Sequence, residues 1–227
     1  MRGRAVALTI RPRIVLPFLA SLLAGLFVSE TGAAQDRGAF PLDKAASRRS
    51  GLVIGIGLGS SITAGSGYPN SATRMEDPRY YAASGVVVGT SSTLMIMGAL
   101  TDYLNFGFWG GGGGGENSDW KLSQAGGGVR VEAFPLFYLV PKLRDLGISG
   151  QFGVGSAKME AKHGASEGGE GVQSFVGGGA FYEFRLFNPF GTHFTLAPSV
   201  EYQAIFSDPF ESHGVVAGVR LALYGGP

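Results

Sequence analysis

The chain contains no cysteine. That excludes a disulfide scaffold and thiolate metal sites, and it removes the lipid-bearing cysteine of a lipoprotein. Charge is also scarce. Asp, Glu, Lys and Arg make up 15% of the 227 residues, against about 25% in an ordinary soluble domain. The net charge of +1 is too small to attract a polyanion, so no nucleic-acid partner is expected. Past the N-terminus, no apolar run approaches the roughly 20 residues of a spanning helix. Yet 44% of the residues are hydrophobic and mean hydropathy is +0.17. Such a chain needs another way to place its apolar surface. Strands that turn alternate apolar residues toward lipid are one such way.

What the chain has in excess is glycine, 39 residues with no collagen period. Glycine weakens helices. In a narrow barrel it suits inward positions, where the lumen is tight. A disordered glycine-rich polymer is the alternative, and the regular apolar alternation between the glycines argues against it.

Residues 1–34 read as a cleaved signal peptide. Arg2, Arg4, Arg11 and Arg13 form a basic start, and Ile14 to Val28 is apolar apart from Pro17. Small residues end at Ala33 and Ala34, either of which suits cleavage. An uncleaved anchor helix is the rival, for which the apolar stretch is short. Residues 35–50, with Pro41 and the Arg48-Arg49 pair, read as a flexible periplasmic lead-in. Residues 51–227 read as the barrel.

Eight segments of that region alternate with period two, one face apolar and the other small or polar. They run from Gly51 to Ile62, Gly85 to Met97, Tyr103 to Gly111, Gln124 to Val140, Gly147 to Met159, Val172 to Phe187, Phe194 to Ser207, and Gly214 to Tyr224. In the first, Leu52, Ile54, Ile56, Leu58 and Ile62 oppose Val53, Gly55, Gly57, Gly59 and Ser61. Pro135 and Pro198 fall inside segments and remove ladder donors, so bends are expected there. The connections Thr63 to Ala83 and Glu160 to Gly171 are long. Gly112 to Ser123 is longer than a turn. Gly98 to Asp102, Pro141 to Leu146 and Asn188 to His193 are short, and Asp208 to His213 is intermediate. Long loops at one end and short turns at the other are the habit of outer-membrane barrels, with the short turns periplasmic.

From Gly51 to Pro227 the chain resembles the small eight-stranded outer-membrane barrels typified by the transmembrane domain of outer-membrane protein A and by outer-membrane protein X. Segments such as Leu100-Thr101-Asp102-Tyr103-Leu104 and Gly214-Val215-Val216-Ala217-Gly218-Val219-Arg220 are similar to turns and strands of that class. The resemblance implies an all-β, eight-stranded antiparallel transmembrane barrel, monomeric, in the outer membrane of a Gram-negative-type bacterium. It implies as partners the outer-membrane lipids, including lipopolysaccharide, and the barrel assembly machinery during biogenesis. Such barrels end in an aromatic residue; here Tyr224 is expected to serve.

Six ionisable residues share the small-residue face: Arg130, Glu132, Glu183, Arg185, Glu201 and Arg220. Three are positive and three negative. Balanced charges in an enclosed lumen form a network where lone ones would be costly. A central salt-bridge plug is expected, with Arg220 opposite Glu201. If the apolar faces pointed inward instead, a soluble lipocalin-like barrel with a bare Gly/Ser exterior would result.

No catalytic set emerges, and no cofactor or metal site is expected. His163, His193 and His213 are too scattered for a metal. Ser212 and His213 are adjacent, a poor arrangement for a nucleophile and its base. The glycine strings Gly55 to Gly59 and Gly110 to Gly115 open no helix and precede no Gly-Lys-Ser/Thr, so they do not read as phosphate loops. Tyr103, Trp109, Tyr138, Phe187, Phe190, Phe194, Phe206 and Tyr224 lie near strand ends, as interfacial aromatic girdles do. The functional expectation is a non-enzymatic barrel with a structural or cell-surface role, its lumen plugged. A narrow pore for small solutes and a lipid-modifying enzyme are the rivals.

Overall fold

The computed structural model describes residues 49–68, 73–74, 77–163, 167–168, 172–188 and 192–225. All lie in the compact unit Lys44–Pro227. The expected signal peptide (1–34), most of the lead-in (35–48) and Phe190 lie outside the described residues.

Ten strands follow one another: β1 (Gly51–Gly67), β2 (Ala82–Thr101), β3 (Leu104–Glu116), β4 (Trp120–Ala133), β5 (Leu146–Ala161), the two-residue β6 (Glu167–Gly168), β7 (Val172–Tyr182), β8 (Phe184–Phe187), β9 (Thr192–Phe206) and β10 (Phe210–Gly225). β6 pairs only with β5, and β7 and β8 are two parts of one wall strand, so the wall is an antiparallel closed barrel of eight strands. Closure comes from β10 pairing with both β9 and β1. The main wall thereby has no free edge, and only the short β8 and β6 pair on one side alone. Leu52 pairs with Gly225, which puts the start of β1 and the end of β10 at one end of the barrel, called here the terminal end.

Alternation decides the two faces, as in any strand with one buried side. Leu52, Ile54, Ile56, Leu58 and Ile62 are exposed on the outside, as are Val86, Val88, Leu94, Ile96, Phe106, Phe108, Phe152, Val154, Val200, Val215, Val219 and Leu221. Arg130, Glu132, Gln151, Glu183, Glu201 and Arg220 are buried inside. A soluble lipocalin-like barrel would have the reverse arrangement.

Most strands run longer than the sequence expectation, and at three places the boundary moves for an evident local reason. β4 stops at Ala133, short of Val140, because Pro135 has no N–H to continue the ladder. The chain turns instead, with Phe134 N donating to the Tyr103 carbonyl at 2.9 Å and Val140 N to that of Leu136 at 3.1 Å. The connection between β4 and β5 therefore spans 134–145 and is not the short turn expected at Pro141 to Leu146. The glycine run Gly112 to Gly115, expected at the start of a connection, is no loop. It is strand, paired with β2 on one side and β4 on the other. The neighbouring backbones approach so closely that a Cβ on Gly113 would lie 2.5 Å from the Thr90 carbonyl oxygen, and one on Gly112 2.8 Å from that of Gln124. Finally, β10 begins at Phe210, four residues before Gly214, because Ser207 and Phe210 exchange backbone hydrogen bonds of 2.8 and 3.3 Å across a tight turn.

Pro198 interrupts the wall without shifting it. β7 pairs with β9 up to Phe181↔Ser199, and β8 resumes at Phe184↔Leu196. At this gap the Glu183 N–H donates to the Asp145 carbonyl at 2.9 Å. Gly85, in the left-handed region at φ 62°, sits at the bulge where β2 shifts register against Ala64 and Ser66.

Candidate functional site: a charge ladder in the lumen

The inward side chains of β4, β5, β7, β9 and β10 meet in the terminal half of the barrel. Arg130 is almost fully buried. It donates to Glu132 Oε1 at 2.8 Å, to Gln151 Oε1 at 2.8 Å and to Glu201 Oε1 at 2.6 Å. Arg220 donates to the same Glu132 Oε1 and, at 2.8 Å, to Glu183 Oε1, while its guanidinium lies 4.1 Å from the centre of the Phe181 ring. The Tyr224 hydroxyl donates to Glu183 at 2.6 Å, and Asn105 Nδ2 donates to Glu132 at 3.3 Å. The ladder ends on a residue from outside the strands. Arg49 donates to Glu183 at 3.0 Å and to Asp145 at 2.8 Å. Charges alternate along the whole run: Glu201, Arg130, Glu132, Arg220, Glu183, Arg49, Asp145.

Buried carboxylates and guanidinium groups are tolerated only where nearly every polar atom is matched. The several N–H donors of each arginine, spread over different carboxylates, supply most of those partners here, Arg220 Nε and Asn105 Oδ1 being the exceptions. Beside the ladder lie two small cavities of about 20 and 10 Å³, each large enough for about one water. Ser91, Gln203 and Gln124 are among their lining residues. Trp109 and Phe175, which line the second cavity, pack at 4.5 Å within a buried apolar cluster that includes Leu122, Met159, Ile205 and Phe210.

Of the six lumen charges expected from sequence, five are brought together and Arg185 is not. It is exposed on β8, past Glu183, where the strand pairs only with β9 and no wall closes around it. The expected facing of Arg220 and Glu201 is also corrected. Arg220 sits opposite Ala197 and Glu201 opposite Val216, because β10 starts earlier than expected. The two are linked through Arg130 and Glu132. Arg49 falls in the expected lead-in, and its burial in the ladder leaves no mark in a strand pattern. Asn105 and Gln151 fall on the inward face of the alternation but carry no charge to single them out. Trp109 and Tyr224, read as interfacial aromatics, are both buried in the lumen. Tyr103 and Tyr138 pair at 5.8 Å and Phe187 stacks on Phe194 at 4.7 Å on the exposed terminal-end surface.

Similarity to known proteins is confined to structure. No family model matches this chain, and no curated protein matches its sequence. Among solved structures, the chain is similar to the attachment invasion locus protein Ail of Yersinia pestis (14% identity, TM-score 0.45, covering 77% of this chain and 99% of that one). It is similar to neisserial surface protein A (12%, 0.43, 74% and 96%) and to the outer membrane protein OprG from Pseudomonas aeruginosa (9%, 0.38, 78% and 97%). These neighbours are small eight-stranded outer-membrane barrels, the class that the sequence resembles.

The histidines supply no catalytic arrangement among the described residues. Ser212 faces the lumen and His213 the outside, so neighbouring positions place them on opposite sides of the wall. His213 Nδ1 shares a 2.7 Å hydrogen bond with the exposed Tyr202 hydroxyl. No group of three His, Asp or Glu side chains suited to a metal occurs among the described residues.

Proposed function

We propose that this chain is an integral outer-membrane barrel, exported with the signal peptide at 1–34, closed by its own side chains, and non-enzymatic. Its role on this reading is structural or interactive: a rigid wall in the membrane presents the connections 68–81, 117–119, 162–171 and 207–209 to the cell surface, among outer-membrane lipids including lipopolysaccharide. One observation carries the proposal. The barrel is inside-out relative to a soluble protein, with Leu58 67% exposed on its wall and Arg130 1% exposed in its lumen. A contiguous apolar exterior of this extent is stable in hydrocarbon and aggregates in water. The ladder and the apolar cluster beyond it support a lumen shut to solutes.

Extraction from outer-membrane fractions and gel migration with and without boiling test the location. A species that shifts on boiling is expected, and an unshifted species from a soluble fraction would overturn the reading. Planar-bilayer recording tests closure. The expected trace is silent, and steady unitary currents from the unmodified protein would favour the narrow-pore alternative.

A further inference from the structure

The terminal mouth of the barrel holds a cation that does not belong to the wall. Four separate parts of the wall converge on the Arg49 guanidinium. Asp102, in the turn between β2 and β3, accepts from Nη1 through its carbonyl at 2.9 Å. Asp145, just before β5, accepts from Nη2 at 2.8 Å. Glu183, in the gap between β7 and β8, accepts from Nε at 3.0 Å. Phe134, after β4, lies under the group at 3.4 Å from its ring centre. The backbone N of Arg49 also donates to Asp102 Oδ1 at 2.9 Å.

These acceptors are spread in the plane of a fork and backed by an aromatic face, which suits a planar guanidinium and not a compact ammonium. All the recognition groups come from the barrel itself. Burial alone would depress the Arg49 pKa, but the carboxylates of Glu183 and Asp145 outweigh it and hold the group charged. Without Arg49, the inner ladder of Glu201, Arg130, Glu132, Arg220 and Glu183 carries one more acid than base, and Asp145 adds another.

We infer that the terminal mouth is a guanidinium-binding site, filled in cis by Arg49. The tether to β1 keeps Arg49 at high local concentration, so a guanidinium ligand from solution enters only when that side chain is absent. Arg49 thereby acts as a latch that joins the start of β1 to Asp102, Asp145 and Glu183 across the mouth.

Chemical rescue of the full chain carrying Arg49→Ala tests this, in lipid vesicles, with the midpoint of the boiling-sensitive gel shift as readout. The variant should lose midpoint temperature relative to the parent. Methylguanidinium at millimolar concentration should restore about half or more of that loss in a saturable way. Methylammonium at equal ionic strength should not, and neither additive should move the parent. If Arg49→Ala does not fold unaided, the folded yield with each additive gives the same comparison. Equal rescue by both cations, no rescue by either, or an undiminished midpoint in Arg49→Ala would each overturn the inference.

Discussion

Glu132 is the rung on which the lumen ladder turns. It is fully buried and accepts from Arg130, Arg220 and Asn105. Glu132→Gln keeps the shape and removes the charge. Breaking one partner of a buried ionic group costs about 3–5 kcal/mol, because the opposite charge is left uncompensated. Here the lower end applies. Arg130 retains Glu201 and Gln151, and Arg220 retains Glu183 and the face of Phe181. A loss of about 3 kcal/mol lowers the folding equilibrium constant about 100-fold. Adding Arg220→Met to Glu132→Gln removes a matched pair, so the double variant should be little worse than the single one, since neutral replacement of a buried pair costs little. Urea unfolding in phospholipid vesicles, followed by tryptophan fluorescence, measures all three variants. A single-variant loss below about 1 kcal/mol, or losses that simply add, would refute the reasoning that the ladder is coupled.

Other variants probe other parts. Leu58→Arg puts a charge at mid-strand on the outer wall. It should cost about 2–4 kcal/mol in a bilayer, read from the same urea midpoint in vesicles; an unchanged midpoint would argue that this face does not meet hydrocarbon. Trp109→Ala leaves a gap against Phe175 and should cost about 3–5 kcal/mol, while bilayer currents stay silent because Arg130 and Glu201 still cross the lumen. Arg185→Ala should change stability by less than about 0.5 kcal/mol, since the side chain is exposed. A larger effect from Arg185→Ala than from Glu132→Gln would reverse the assignment of the ladder.

Alternation along each strand was sufficient to separate the wall's two faces. Leu52, Ile54 and Ile56 could be placed outside and Arg130 and Glu132 inside, because side-chain direction in a strand follows from parity alone. Parity is silent where there are no side chains, which is why Gly112 to Gly115 read as part of a connection. It is equally silent on where a strand stops. Pro135 ended β4 outright, whereas Pro198 interrupted the wall without displacing it, and only the neighbouring backbones distinguish the two.

The ladder's membership was therefore partly legible and its connectivity was not. Arg130, Glu132, Glu183, Glu201 and Arg220 are chosen by parity and charge, a local property of the chain. Which of them touch depends on register, and the tight turn at 207–209 moved Arg220 away from Glu201. Arg185 has the right parity but lies where the wall is no longer closed, and parity carries no information about closure. Arg49 has no strand to give it a parity. Its place is decided by Asp102, Phe134, Asp145 and Glu183, which are distant in sequence and adjacent only because the sheet closes on itself. The sequence by itself determined which side of the wall each strand residue faces; the closed sheet decided which charges meet, and that the last cation comes from ahead of the first strand.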